Sequence, residues 1–272
     1  MATVLVCYAA GPRVHLLNQQ ALVSSARRFG VDRVIARGPW PADDPFVRQH
    51  RTVLSSAEGA GYWVWKPRCI LAAMEEAAED DVIVYADSGS LLRSSLEPLV
   101  TAATQGDGVL FWNEYLNQHY VKRDCFVFTQ TDAPRYHEAR QLDAAFLAFR
   151  NTARTRAFVR RWLEACTDPR LVSDEPNTCG LPNLPGFVGH RHDQSVLTLL
   201  FLREQARLDF KLFPRRIKYR YLCHHRRRTP WMPIWLWHAF HDGGEAWIHR
   251  SRRRLRVYRK LIRRPSSHAP TA

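Results

Sequence analysis

The sequence predicts an α/β fold in which a mostly parallel β-sheet is flanked by helices. Short apolar runs alternate with segments of helical spacing along the chain. One of these runs, Asp81 to Ala86, is apolar almost throughout, which is typical of a parallel strand buried on both faces. A chain of 272 residues is long enough for one such domain with a substantial core.

The first half of the chain follows this alternation closely. An apolar run near the N-terminus precedes helical spacing that ends before Gly30, and a second apolar run precedes a proline-containing loop. Beyond the loop, Pro67 suits the first turn of another helix. The predicted elements are strand Val4 to Tyr8, helix Leu16 to Phe29, strand Val31 to Ala36, helix Lys66 to Ala78 and strand Asp81 to Ala86.

The second half continues the alternation and contains one long loop. The stretch Asp168 to Gly189 has four prolines and little periodicity, and loops of that length in compact domains are usually functional or disordered. The predicted elements around it are helix Leu96 to Thr104, strand Val109 to Trp112, strand Ala144 to Phe149, helix Thr152 to Cys166, helix Asp193 to Ala206 and strand Phe210 to Phe213.

Positive charge is concentrated near the C-terminus. Between Arg215 and Arg264, 16 lysines and arginines stand against two acids, whereas the rest of the chain carries 24 basic and 24 acidic residues. We therefore predict one domain over residues 1–222 and a basic, aromatic C-terminal extension over residues 223–272.

The extension suits an anionic membrane surface. Trp231 to Trp237 holds three tryptophans, which favour the membrane interface, and Glu245 to Arg264 has the composition of a basic amphipathic helix. A basic helix packed on the domain, a disordered tail and a nucleic-acid-binding segment are the alternatives. Because the rest of the chain is electrically neutral, no basic groove is predicted in the domain, and nucleic acid is not the expected partner.

The expected location is the cytoplasm, peripherally on the inner face of the cell membrane. The N-terminal residues lack a basic region and a signal-peptide cleavage site, and no apolar run approaches the roughly 18 residues of a membrane span. Six cysteines without C-x-x-C spacing predict reduced, mostly buried thiols.

An acid follows the buried strand in the segment Tyr85-Ala86-Asp87-Ser88-Gly89. Ligands of open α/β sheets bind at the carboxyl edge of the strands. Asp87 there could hold Mn²⁺ or Mg²⁺ on a diphosphate, while Gly89 allows close approach of the backbone. The alternative is an aspartate that only caps the next turn.

Three aromatic rings surround a lysine in Gly61-Tyr62-Trp63-Val64-Trp65-Lys66-Pro67. Lys66 at the start of a helix could bind a phosphate together with backbone N–H groups. The rings could stack on a base or a sugar, but core packing is the alternative, and for Trp63 and Trp65 it is the favoured one.

The end of the long loop, Gly189-His190-Arg191-His192-Asp193-Gln194-Ser195, combines two imidazoles, an arginine and a carboxylate. Asp193 suits an N-cap, because its carboxylate could accept a hydrogen bond from an N–H group of the first turn. The alternative is that Asp193 or a neighbouring histidine takes a proton from an attacking hydroxyl.

These segments occur in an order that resembles a family of bacterial glycosyltransferases of the GT-A kind, grouped with surface-polysaccharide biosynthesis. The resemblance spans roughly Val4 to His225. It rests on the three segments above and on two further ones, Lys122-Arg123-Asp124 and Asn177-Thr178-Cys179-Gly180-Leu181-Pro182-Asn183. It implies a GT-A-like, Rossmann-like fold and the transfer of a sugar from a nucleotide-diphosphate sugar to a glycan or lipid-linked glycan.

The resemblance also implies a donor site. Tyr8 and Ala9 would line the base pocket, and Asp87, with Ser88, would begin the Asp-x-Asp motif, whose second acid is Gly89 here. Either Asp87 then shares a divalent cation with a ligand from elsewhere, such as His224 or His225, or cationic side chains replace the ion. The cationic candidates are Lys66, Lys122 and Arg123.

The resemblance further assigns the acceptor side and the general base. Asn113-Glu114 and Gln141-Leu142-Asp143 lie where such enzymes position donor sugar and acceptor. Glu114, Asp143 and Asp193 are the candidate bases, and Asp193 is preferred because imidazoles surround it, His192 being its immediate neighbour. The expected set for positioning donor and acceptor is Glu114, Gln141, His190 and Gln194.

Overall fold

The computed structural model describes residues 1–224 of the chain. The predicted tail segments, Trp231 to Trp237 and Glu245 to Arg264, and the candidate ligand His225 lie outside the described residues. The division into residues 1–222 and 223–272 therefore stays a prediction.

The described strands form one large sheet and one small one. The strands are β1 Thr3–Tyr8, β2 Arg33–Arg37, β3 Val82–Ala86, β4 Ser90–Leu92, β5 Gly108–Leu116, β6 Arg140–Leu142, β7 Phe146–Arg150, β8 Phe210–Pro214 and β9 Leu222–His224. The large sheet has seven strands in the order β2-β1-β3-β7-β5-β6, with β8 also paired to β5, while β4 and β9 form the small sheet.

Most strands of the large sheet run in one direction. β1 pairs in parallel with β2 and β3, and β5 pairs in parallel with β8. β7 joins these two groups as an antiparallel strand between β3 and β5, and β6 is antiparallel to β5. Five of the seven strands thus share a direction, which confirms the predicted mostly parallel sheet.

Helices connect the strands and cover the sheet. They are α1 Arg13–Arg28, α2 Pro45–Gln49, α3 Arg51–Leu54, α4 Gly59–Tyr62, α5 Trp65–Glu76, α6 Glu97–Thr104, α7 Asn117–Tyr120, α8 Arg123–Phe128, α9 Pro134–His137, α10 Ala153–Cys166, α11 Pro169–Val172, α12 His192–Glu204 and α13 Arg215–Lys218. None of the helices within residues 1–224 has the length and apolarity needed to cross a bilayer.

The core lies in two layers, one on each face of the sheet. Successive strand residues point to opposite faces, so that Val4 and Val6 of β1 join one layer while Leu5 and Cys7 join the other. The first layer contains buried side chains of α5, α10 and α12, and the second contains those of α1 and α6. The α/β class with helices on both faces, predicted from the apolar runs, is confirmed.

Most long elements lie within a few residues of their predicted bounds. β5 continues to Leu116, beyond the predicted end at Trp112, and the long loop contains the short helix α11. α10 begins at a capping box, in which Thr152 accepts a hydrogen bond from the N–H of Thr155 and Thr155 bonds back to the N–H of Thr152. The six cysteines are free thiols, and four of them are buried.

The carboxyl edge of the sheet is where β1, β3, β5 and β8 all end. β7 is antiparallel and therefore begins at the same edge, with Phe146 opposite Ala86. The residues that follow β1 and β3 and those that precede β7 consequently meet there. This edge includes most of the residues that the sequence singled out.

Candidate functional site

A buried lysine lies between two aspartates at the carboxyl edge. Lys66 is the second residue of α5, Asp193 is the second residue of α12, and Asp87 follows β3. The Lys66 Nζ atom is 3.1 Å from Asp193 Oδ2 and 3.5 Å from Asp87 Oδ1. Lys66 and Asp193 are each only 4% exposed, whereas the Asp87 side chain is 40% exposed and connects the cluster to solvent.

Burial and charge act in opposite directions on the two buried groups. Burial lowers the pKa of Lys66, but Asp193 and Asp87 more than offset this effect, and the pKa is raised overall. Burial raises the pKa of Asp193 to about 6, although Lys66 acts to lower it. Burial therefore brings the pKa of Asp193 closer to neutrality than that of an ordinary aspartate.

The structure contradicts the alternative that Asp193 caps its helix. α12 begins at His192, the capping position belongs to Arg191, and no side chain caps the helix. The Asp193 carboxylate instead faces Lys66, and its backbone carbonyl accepts a hydrogen bond from Trp162 Nε1 at 3.0 Å. The predicted capping role is wrong, and the carboxylate is available for an electrostatic or chemical one.

The His192 ring packs against a left-handed turn that consists of the short segment α4 and Trp63. The backbone has positive φ at every residue of Gly59–Trp63, including Tyr62 (53°) and Trp63 (60°), and His192 itself has φ of 49°. The His192 ring lies 5.3 Å from the Trp63 ring and 5.2 Å from the Tyr62 ring, and its Nδ1 donates to the carbonyl oxygen of Val172 at 2.8 Å. Such backbone strain is typical of positions that the surrounding structure holds firmly.

The negative charge of Asp143, another candidate base, is paired with two cations. Its Oδ2 lies 2.5 Å from Lys218 Nζ and 3.2 Å from Arg215 Nε, and its Oδ1 accepts from the N–H of Ala145. Burial acts to raise the pKa of Asp143, but Lys218 and these partners lower it below its ordinary value. Asp143 therefore stays ionised and is a weak proton acceptor.

Stacked rings lie at the end of β1. Tyr8 stacks on Trp65 at 4.2 Å and on Trp40 at 5.9 Å, both at 17° between ring planes. The Arg68 guanidinium lies 4.1 Å from the Trp40 ring centre and donates to both carboxylate oxygens of Asp44 at 2.8 Å. Trp40 is partly exposed, so this group offers an aromatic surface to a planar ligand, with the Arg68–Asp44 ion pair holding the Trp40 ring in place.

Three further donor-site candidates follow the ends of β1 and β3, namely Ala9, Ser88 and Gly89. Ala9 is buried, and its N–H donates to the carbonyl oxygen of Arg37 at 3.1 Å. Ser88 and Gly89 form the turn after Asp87, in which the N–H of Ser90 donates to the Asp87 carbonyl oxygen at 3.1 Å. The structure thus brings Tyr8, Ala9 and the segment after β3 to the same edge.

Lys122 and Arg123 are engaged with other parts of the chain. Lys122 is buried, and its Nζ donates to the carbonyl oxygen of Glu175 at 2.7 Å. Arg123 donates to Asp132 through two guanidinium nitrogens. These contacts anchor the long loop and α8, and no ion pair within residues 1–224 joins either side chain to Asp87. Their role in donor binding stays a prediction.

His190 belongs to the same anchored loop. Its Nε2 donates to the carbonyl oxygen of Leu171 at 2.8 Å, and its Nδ1 accepts from the N–H of Lys122 at 3.2 Å. Burial is the main cause that lowers its pKa well below the ordinary value. His190 is therefore a neutral structural link, and its ring lies 5.4 Å from that of His192.

The predicted positioning residues Gln141 and Gln194 contact each other. Gln194 Nε2 donates to Gln141 Oε1 at 2.7 Å, and Gln141 Nε2 donates to Ser195 Oγ at 3.2 Å. Gln141 is fully buried. The pair fixes the first turn of α12, and with it Asp193, against β6.

Glu114 lines a separate cavity of about 410 Å³ near the ends of β5 and β8. This cavity adjoins Asp143 through Arg215, one of its lining residues.

Four residues of the site were not predicted from the sequence: Arg215, Lys218, Trp40 and Arg68. Only the local excess of positive charge hinted at the first two, and aromatic composition hinted at Trp40.

The described residues do not fit a divalent cation by themselves. Asp87 Oδ1 accepts from the Tyr85 hydroxyl at 2.7 Å and also faces the Lys66 ammonium. Within residues 1–224 no three Asp, Glu, His or Cys side chains are arranged to hold a metal ion. The described chain ends with His224 opposite Ser90, three residues beyond Asp87, and the predicted ligand His225 follows outside it.

Neither a protein-family model nor a curated protein sequence matches this chain. Three solved structures share features of its fold. Mouse xyloside xylosyltransferase 1 is 12% identical over 78% of this chain and 84% of its own, with a TM-score of 0.40. The bifunctional glycosyltransferase WbbM is 11% identical over 74% of this chain, which covers only 37% of WbbM, with a TM-score of 0.41.

The third structure is the glycosyltransferase GlyE of Streptococcus pneumoniae TIGR4. It is 12% identical over 99% of this chain and 66% of its own, with a TM-score of 0.45. All three likenesses are too distant to transfer an activity or a substrate to this chain. The geometry of the site itself has to support any function.

Proposed function

We propose that this chain is a glycosyltransferase that moves a sugar from a nucleotide-diphosphate sugar to a hydroxyl group of an acceptor glycan. The observation that carries the proposal is the buried Lys66 between Asp87 and Asp193 at the carboxyl edge of the sheet. It combines a positive charge for a diphosphate with a carboxylate whose pKa burial raises to about 6.

The donor nucleotide would bind across the end of β1. The partly exposed Trp40 ring, with Arg68 against it, suits a planar base, and Tyr8 supports that ring by stacking. From there the diphosphate would reach the Lys66 ammonium at the start of α5. Ser88 and Gly89 would line the opposite side of the diphosphate.

Donor binding would also release the base. A diphosphate that draws the Lys66 ammonium toward itself weakens the pairing of Lys66 with Asp193 and frees the carboxylate. The acceptor oxygen then forms a bond to the anomeric carbon, its proton passes to Asp193, and the bond to the diphosphate breaks with its electrons kept by the leaving group. Asp143, neutralised by Lys218 and Arg215, would organise the site without taking this proton.

A divalent cation belongs to the proposal only with help from outside the described residues. His225 is the candidate that would join Asp87 as a ligand for Mn²⁺ or Mg²⁺. In the other arrangement Lys66 supplies the positive charge that the diphosphate needs. Activity measured with manganese and with a chelator distinguishes the two.

The acceptor proposed here is a surface glycan, such as lipopolysaccharide or capsule, in lipid-linked form. The basic and aromatic composition of residues 225–272 would hold the protein peripherally on the cytoplasmic face of the membrane, close to such acceptors. Nucleic acid is not proposed as a partner.

The first test is a thermal-shift screen against UDP, GDP, CMP and dTDP, with and without manganese, and with an oligonucleotide as control. A ligand at about a hundred times its dissociation constant stabilises the native state by roughly 2.7 kcal/mol. Stabilisation by UDP, GDP or dTDP supports the proposal and identifies the donor class, whereas stabilisation by CMP alone would indicate a nucleoside-monophosphate sugar instead. Stabilisation by the oligonucleotide alone would reject it in favour of nucleic-acid binding.

A second candidate function is nucleotide-sugar binding without catalysis. The tight pairing of Lys66 with Asp193 favours it, because the pairing engages the proposed base. Gly89 also favours it, because a glycine stands where the Asp-x-Asp motif has its second acid. Release of free nucleotide from the selected nucleotide sugar, with and without acceptor, separates the two functions. Binding without release in either case would leave this second candidate.

A further inference from the structure

A cavity of about 410 Å³ lies near the carboxyl ends of β5 and β8. Its volume falls within the range of about 300–1,000 Å³ typical of small-molecule sites. Trp112, Leu202 and Pro214 give it an apolar wall, and polar side chains from β5, β6 and α13 complete it. A saturated ring with apolar C–H faces and polar substituents, such as a sugar, matches this lining.

The charged residues of the cavity are mainly cationic. Arg140, Arg215 and Arg216 line it, together with one acid, Glu114. Arg215 is committed to Asp143 at 3.2 Å, whereas Arg140 and Arg216 form no ion pair within residues 1–224. Both of these arginines are exposed, so their guanidinium groups are available to an anion that enters the cavity.

Two contacts join the cavity to the proposed catalytic site. Arg215 pairs with Asp143. Asn113, which also lines the cavity, donates from Nδ2 to the carbonyl oxygen of Leu142 at 3.2 Å, one residue before Asp143. A molecule bound in the cavity would therefore lie beside the segment that forms one side of the site.

We infer that this cavity binds the acceptor sugar through an anionic substituent, the carboxylate of a uronic acid or a phosphate ester. Arg140 and Arg216 would hold the anion, since guanidinium groups match the geometry of both substituents. Glu114 would accept hydrogen bonds from sugar hydroxyls, and Trp112 would contact the apolar face of the ring. The inference rests on the proposed function and specifies its acceptor.

The test is calorimetric titration of the full-length protein with three probes: methyl glucuronide, glucose 6-phosphate and methyl glucoside. Binding of an anionic probe but not of the neutral glucoside is expected. The preferred anionic probe tells a carboxylate acceptor from a phosphate-bearing one. The substitutions R140Q and R216Q should each weaken this binding roughly tenfold, as loss of one charge-assisted hydrogen bond predicts.

The matched control is R27Q, which removes an exposed arginine at the end of α1. It should leave probe affinity unchanged. Equal binding of the neutral and charged probes, absence of binding by either anion, or unaltered affinity in both cavity variants would overturn the inference. Nucleotide stabilisation measured on the same samples tests the proposed function separately, because the donor does not contact this cavity in the proposal.

Discussion

The proposed role of Lys66 in binding a diphosphate requires a positive charge, yet burying that charge costs free energy. Removing a charge from water costs several kcal/mol even after relaxation, and a buried pair recovers this only when its geometry is good. Lys66 faces Asp193 at 3.1 Å and Asp87 at 3.5 Å, and it is almost fully buried. An apolar pair would fill the same space without the desolvation cost, so the arrangement is better explained by chemistry than by stability.

A double-mutant cycle tests this pairing. Lys66→Met should lower the free energy of unfolding by about 3–5 kcal/mol, because Asp193 is left buried without its cation. Adding Asp193→Asn should restore part of that loss, since the unpaired charge is then removed. Urea unfolding measures both. The control is R160M, which breaks the exposed pair of Arg160 with Glu75 and should change stability by less than about 1 kcal/mol.

Additive losses in the two Lys66 and Asp193 single variants would show that the pair is not coupled.

The residues of this cluster were predictable from the sequence, because each of them follows a strand or begins a helix. Their contact was not predictable. Lys66 and Asp193 are distant along the chain, and the sequence equally favoured a capping role for Asp193.

If Asp193 is the base of the proposed reaction, it predicts a pH dependence of the activity. Its pKa, raised by burial to about 6, means that the carboxylate form is lost as the pH falls through about 6. In the proposed reaction, kcat/KM should therefore decrease on the acid side of that value and level off above it. Asp193→Asn should lower kcat by roughly 10²–10⁴-fold and remove the acid limb from the remaining activity.

The profile of kcat/KM against pH for the wild-type and variant enzymes measures this effect, because kcat/KM reports the pKa values of the free enzyme. Asp80→Asn serves as the control, because Asp80 pairs with Arg150 at the opposite, amino edge of the sheet. An unchanged acid limb in the Asp193→Asn enzyme would assign the titration to another group.

At the scale of elements, the left-handed turn Gly59–Trp63 supports the site. Gly61 has φ of +94°, and an added Cβ would lie 2.9 Å from the Cα of Leu54. Gly61→Ala should cost roughly 1–2 kcal/mol for the left-handed backbone and a further 1–3 kcal/mol for the steric conflict. Because Trp63 contacts the His192 ring, turnover should fall with stability.

The comparison for this prediction is Gly30→Ala. Gly30 has a similar φ of +74°, but no atom lies within 4 Å of the added Cβ. The free energy of unfolding of the Gly30→Ala protein should therefore fall only by the roughly 1–2 kcal/mol that the left-handed backbone costs, and its turnover should be unchanged. Thermal unfolding and activity assays measure both variants. Equal losses would mean that the turn relaxes around the added methyl group.

Element length decided what the sequence could predict. Strands β1, β3 and β8 and helices α1, α5, α10 and α12 have enough apolar periodicity to be recognised. β4, β6 and β9 have three residues each, and the helices between β2 and α5 are single turns. In such short elements tertiary contacts determine the conformation. The left-handed turn was likewise hidden, because Ala60, Tyr62 and Trp63 are residues that rarely adopt positive φ.

At the scale of the whole molecule, charge is divided unevenly along the chain. Outside Arg215 to Arg264 the numbers of basic and acidic residues are equal, whereas that segment has 16 basic residues and two acids. A neutral body has little electrostatic attraction for a membrane or a nucleic acid. We therefore expect binding to an anionic membrane surface to depend mainly on the C-terminal part.

Full-length protein should therefore sediment with vesicles that contain anionic lipid, and much less with vesicles of phosphatidylcholine alone. Each basic residue near such a surface contributes about 1 kcal/mol, so replacing Arg252, Arg253 and Arg254 by glutamine should weaken binding roughly a hundredfold. Because exposed charges are screened over about 8 Å at physiological ionic strength, added salt should release the wild-type protein.

Replacement of Arg27, Arg28 and Arg48 in the body removes the same charge and should have little effect. Equal weakening by the two triple substitutions would attribute binding to net charge alone, whereas salt-resistant binding would attribute it to the tryptophans at 231, 235 and 237.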